Sequence, residues 1–98
     1  MKKIFMTLMN EMNFLFDNDV QYMNVDFPSE NNPYCQITLM VNEHHNSKTI
    51  LLENYLHEQN KHYTKTVDCN KWLKYCSYSF RYNDIHIVYT IKGYKDTI

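Results

Sequence analysis

The chain has 98 residues, of which 44% are apolar and 15% aromatic; that is enough for one real core and excludes wholesale disorder. A net charge of −1 excludes a particle driven to polyanions by bulk charge, and a single glycine excludes a glycine-rich phosphate loop. Three cysteines without close spacing exclude a disulfide framework or a zinc ribbon, and no apolar run approaches the length of a membrane span.

Residues 2–16 are predicted to form an amphipathic helix, because Phe5, Met9, Met12 and Phe16 recur at helical spacing and Ile4, Leu8 and Leu15 widen the stripe. Met6 and Phe14 fall toward its wet side. Asp17, Asn18 and Asp19 break the helix, since their short side chains compete for backbone groups. The leading Met-Lys-Lys is followed by Asn10, Glu11 and Asn13, which interrupt any signal-peptide core.

From residue 20 to 27 the period changes to two, with Met23, Val25 and Phe27 on one face and Tyr22, Asn24 and Asp26 on the other. Pro28 ends this strand. Residues 34–41 form a second strand with Cys35, Ile37, Leu39 and Val41 facing in, paired with the first as an antiparallel hairpin. Residues 42–47, with His44 and His45, read as an exposed turn. Residues 50–63 are assigned to a second helix capped by Ser47 or Thr49, although a short strand from Thr49 is an open alternative. Residues 62–67 favour a strand, and Asp68 either caps a short helical turn or ends that strand.

Residues 74–91 carry the strongest pattern, one long β-hairpin. Lys74, Cys76, Tyr78, Phe80 and Tyr82 share a face of the first arm; Ile85, Ile87, Tyr89 and Ile91 share a face of the second. Asn83-Asp84 between them suits a tight turn with positive φ. Residues 93–98 read as a tail. The expected fold is therefore α+β: a single domain over residues 1–98, with an antiparallel sheet of four or five strands and two helices on one face.

No chemistry-bearing constellation emerges. Cys69 and Cys76 are seven apart and His57 and His62 five apart, spacings that do not build a zinc site, so no metal and no cofactor are expected. Cys35 and Cys76 sit at inward strand positions, where cysteine is a small hydrophobe, and enzymatic activity is not expected. Lys61, Lys65, Lys71, Lys74 and Arg81 interleave with Tyr63, Trp72, Tyr75, Tyr78 and Tyr82, a pattern that suits stacking of single-stranded bases; one arginine is poor equipment for it.

Charge is uneven: residues 1–60 hold three lysines against eight carboxylates, and residues 61–98 hold seven Lys/Arg against three aspartates. Aromatic residues exceed what a core of this size hides, and tyrosines dominate interface hot spots. There is no alanine, one arginine and twelve asparagines, the usage of an AT-rich source such as a low-GC bacterium, its phages or its plasmids. These features lead to the expectation of a small cytosolic, non-enzymatic inhibitor that binds a host protein stoichiometrically, as anti-CRISPR proteins bind a defence nuclease. Glu11, Asp17, Asp19, Asp26, Glu30 and Glu43 are the carboxylates expected to meet a basic channel, with Tyr22, Tyr34 and Tyr78 as anchors. An immunity protein or antitoxin facing a cognate toxin uses the same physics, and a small nucleic-acid-binding module is the other alternative. Self-association through a free sheet face or edge is compatible with each.

Overall fold

A computed structural model describes residues 2–42 and 46–94, the side chains of Lys2 and Asn46 excepted. The elements are α1 (Lys2–Glu11), a 3-10 turn (Asn13–Leu15), β1 (Val20–Asp26), β2 (Tyr34–Val41), α2 (Asn46–Glu58), β3 (Thr64–Cys69), β4 (Leu73–Tyr82) and β5 (Ile85–Tyr94). The strands form one five-stranded sheet in the order β1-β2-β5-β4-β3. Three of the four pairings are antiparallel, as expected. The fourth, β2 with β5, is parallel, so the sheet is mixed.

That order follows burial. The inner faces of β2 (Cys35, Ile37, Leu39, Val41) and β5 (Ile87, Tyr89, Ile91) are buried and meet side by side. The strands with least apolar surface take the edges, and in β3 all six residues are exposed. A free edge invites pairing with another chain, and Lys65 and Asp68 are the charges that discourage it there.

Local chemistry sets the element ends. Asn83 and Asp84 both have positive φ (47° and 67°), the conformation of a type I′ hairpin turn. Asn60 at φ 54° ends α2: the Lys61 amide donates to the Leu56 carbonyl at 2.9 Å and the Asn60 amide to His57 at 3.0 Å. The second helix thus runs earlier than the 50–63 assignment, and Tyr63 is released to pack its ring against Tyr78. The first helix is shorter than 2–16, for Met12 leaves helical geometry and no basic side chain supports the last carbonyls. The single 3-10 turn that follows still delivers Leu15 to the core while Phe14 stays exposed. Asn70 builds the β3–β4 turn by accepting the Trp72 and Leu73 amides, each at 2.8 Å. Alternation continues past Ile91, so Gly93 and Tyr94 belong to β5 and not to a tail.

Both helices cover the inner face. Leu8, Met12 and Leu15 pack there from the N-terminal segment, and Leu52, Tyr55 and Leu56 from α2. Tyr89 lies at the centre of this layer, fully buried, and its hydroxyl has no hydrogen-bond partner among the described residues. An unpartnered buried hydroxyl costs roughly 1–3 kcal/mol. Tyr89→Phe should therefore raise stability by about 1 kcal/mol in denaturant titration; a loss of that size would show a partner for the hydroxyl.

Three polar links fasten the helices. The buried Lys48 ammonium of α2 donates to the Asp17 carboxylate. Glu53 accepts from Lys65 at 2.8 Å and from the Tyr78 hydroxyl at 2.6 Å. Glu11 accepts the Tyr55 hydroxyl at 2.7 Å. The Lys48 hydrogen bond holds the Asp17 carboxyl below its ordinary 3.8, and the Lys65 hydrogen bond, helped by Tyr78, holds Glu53 below 4.5. Both carboxyls are thus more acidic folded than unfolded. Their stabilisation is complete above the unfolded values and is lost as pH falls through the lower folded ones. The double variant Asp17→Asn/Glu53→Gln should be less stable than the parent at pH 7, with the gap closing below about pH 4. A gap that stays constant across acid titration would refute the assignment.

Candidate protein-binding surface

Because the helices occupy one face, the other face of the sheet is open. The strand registers place its side chains in transverse rows. The middle row is polar: Asn24, Thr38, Thr90, Ser77 and Thr66, with a 2.9 Å hydrogen bond between the Ser77 and Thr90 hydroxyls. The next row toward the β3–β4 turn reads Tyr22, Met40, Lys92, Tyr75 and Asp68. Here the Lys92 ammonium lies 5.5 Å from the Tyr75 ring centroid and 6.0 Å from that of Tyr22, and it donates to the Tyr22 hydroxyl at 3.3 Å. Met40 is buried beneath this trio. At the opposite end Tyr34 packs edge-on against His86, ring centroids 4.6 Å apart, and His86 hydrogen-bonds the Ser79 hydroxyl. The Ser79–His86 pair resembles a nucleophile and base, yet no carboxylate orients the imidazole among the described residues.

The fold preserves the charge asymmetry of the sequence. From residue 4 to residue 47 there is no Lys or Arg, and this stretch includes β1 and β2, which form one edge of the sheet. Lys61, Lys71, Lys74 and Arg81 lie on β3, β4 and the adjoining loops at the other. Four strand spacings separate the two outer strands, roughly 19 Å. That exceeds the Debye length of about 8 Å at physiological salt, so an approaching partner meets each pole separately. Helix α2 links the two poles through the Lys48–Asp17 and Glu53–Lys65 pairs.

The expected site residues divide accordingly. Asp19, Asp26 and Glu30 are exposed and make no ion pair among the described residues. They border β1, Asp19 before its start and Asp26 and Glu30 at its far end, with Tyr22 between them and Tyr34 nearby on the open face. Asp17 and Glu11 are exposed but committed, to Lys48 and to the Tyr55 hydroxyl. Tyr78 must be removed from the anchors: it is 0% exposed on the inner face, where its hydroxyl donates to the Glu53 carboxylate, and burial, reinforced by that hydrogen bond, raises its pKa. Glu43 and the His44-His45 pair lie outside the described residues. His86 lies on the face opposite Ile87 and Tyr89, as alternation indicates, whereas Lys92 falls beyond the strand expected to end at Ile91. Continuing the period-two pattern to Tyr94 would have placed Lys92 beside Tyr75.

The remaining thiols fit structural roles. Cys35 and Cys76 are buried and burial pushes both thiols up, whereas Cys69 is exposed on β3. No described helix is long and apolar enough to cross a membrane. Compared with protein families, curated proteins and solved structures, the chain matches none.

Proposed function

We propose that this chain is a non-enzymatic binding protein that occupies a basic surface of a partner protein stoichiometrically, by its β1 edge and the adjoining open face. The carrying observation is the row of uncommitted carboxylates, Asp19, Asp26 and Glu30, set along β1 beside Tyr22 and Tyr34 and about 19 Å from the basic edge. Carboxylates at an edge strand and its flanking loops substitute for phosphates in a channel built to hold a nucleic-acid backbone, and neighbouring tyrosines add contact area at low entropic cost. The partner class is a nucleic-acid-binding protein. A host defence nuclease, silenced by a protein of a phage or mobile element, fits an AT-rich source and the chain's small size.

The experiment is capture of partners from nuclease-treated host lysate by the tagged chain, repeated with a variant in which the three carboxylates become lysine. A protein captured at equal stoichiometry, displaced by nucleic acid and lost with the variant, is the expected result. A partner retained equally by the variant would refute the acidic edge as the contact.

A further inference from the structure

The opposite pole carries a recess that the proposed protein contact does not use. Strand β3 begins at Thr64, opposite Ser79, so the last residues of β4 extend beyond it. The α2–β3 loop, turned by Asn60, runs alongside them, and the Lys61 ammonium donates to the Arg81 carbonyl at 3.1 Å. Between loop and strand lies a cleft of about 520 Å³, within the range of small-ligand sites. Lys61, His62, Arg81 and His86 line it, with the Ser79 and Thr64 hydroxyls, and none of its lining residues is Asp or Glu.

The cations are held by backbone and not by carboxylates. Lys61 leans on a carbonyl, and Arg81 donates one guanidinium N–H to the Asp84 carbonyl at 3.1 Å, leaving its other donors. Asp84 lines the neighbouring cleft with Tyr34, Arg81 and His86 and makes no ion pair among the described residues. Lys61 and Arg81 are therefore positioned by backbone carbonyls and make no ion pair among the described residues. A guanidinium fork, an ammonium, imidazoles and hydroxyls are the donor set that recognises a phosphoryl group.

We propose that this cleft binds a phosphate of a single-stranded nucleic acid, whose chain continues along the open face. From His86 to Lys92 along β5 is roughly 20 Å, a few nucleotides, and the Lys92–Tyr75 pair at the far end offers a stacking surface. Ser79, Thr64, Ser77, Thr90, Thr38 and Thr66 supply hydroxyls along the path, with the Gln36 and Asn24 amides and Val88 between them, and Asp26 and Asp68 stay at its outer strands.

Fluorescence anisotropy of a labelled ten-nucleotide thymidine strand tests this in 50 mM salt. The double variant Lys61→Gln/Arg81→Gln should bind at least tenfold more weakly and lose about 1.4 from the slope of log affinity against log salt, two phosphate contacts' worth. Lys71→Gln/Lys74→Gln, an equal charge change outside the cleft, should lose far less. Amide shifts induced by the strand on the unmodified protein should centre on Lys61, Arg81 and His86, a readout independent of variant folding. No binding at millimolar protein, equal losses in the two variants, or shifts centred elsewhere would overturn the proposal. So would a mononucleotide or inorganic phosphate binding as tightly as the strand, since the site would then need no chain.

Discussion

Leu39→Ala should lower stability by about 3 kcal/mol and the thermal midpoint by roughly 12–24 °C. Leu39 is 0% exposed on β2, opposite Met23 of β1 and Ile91 of β5. It therefore sits in the seam where the N-terminal strand pair joins the C-terminal hairpin. That seam is parallel, and no tight turn holds it: the chain between β2 and β5 passes through α2, β3 and β4 first. Loop closure over such a distance is compensated only by the packing and backbone bonds it brings together. Leu39 belongs to the cluster that both helices cover, so a cavity there opens inside the core and is filled only in part by relaxation. Leu51→Ala, at a position 40% exposed on α2, is the contrast and should stay within about 0.5 kcal/mol. Thermal unfolding by circular dichroism measures both. Comparable losses at the two positions would mean that the buried face of α2 is assigned wrongly.

What the sequence made legible follows from where one physical signal dominated. β2 occupies residues 34–41, as alternation alone indicates, because Cys35, Ile37, Leu39 and Val41 leave no other face to bury. Asn83-Asp84 names its own turn by the rarity of positive φ in other residues. The parallel β2–β5 pairing was not legible, since alternation says which side chains face inward and nothing about which strand lies alongside. β3 lacked a firm assignment for a related reason: with no residue buried, it has no hydrophobic period to display. The start of α2 is hidden because Asn46, Ser47, Lys48 and Thr49 look like a loop, yet Lys48 and Thr49 are buried and Lys48 finds Asp17 thirty-one residues away.

The same distinction runs through the site. Alternation puts Tyr78 on the inner face with Cys76 and Phe80, but its hydroxyl favours the surface unless an acceptor exists inside; Glu53 supplies one from a different element. Asp17 and Glu11 likewise looked free in the sequence, and only the fold reveals their partners. Asp19, Asp26 and Glu30 keep the exposed role because none of them makes an ion pair among the described residues, Lys48 being held by Asp17. The charge imbalance between the halves was visible from counting. Whether folding would cancel it depended on strand order, and the order puts the halves at opposite edges.

The second large effect is expected at that edge. Replacing Asp19, Asp26 and Glu30 by Lys adds two charges at each position, six in all, and moves the net charge from −1 to +5. Affinity for the captured partner should fall at least 100-fold, about 2.7 kcal/mol, with the association rate and its salt dependence changing most. Folding should be little affected, because the three side chains are exposed and carry no ion pair among the described residues. Asp17 is left out of the variant on purpose: reversing it would strand the buried Lys48 ammonium and confuse lost binding with lost structure. Tyr22→Ala and Tyr34→Ala separate the contributions of charge and contact area. Each should slow dissociation less than the parent does and cost roughly tenfold in affinity, with no change in the salt slope. If the tyrosine variants abolish binding while the lysine variant retains it, the contact lies on the open face and the acidic edge only borders it. If the lysine variant loses binding and the tyrosine variants do not, the edge acts as a charge mimic alone, and a partner groove too narrow to admit the sheet face follows from that geometry.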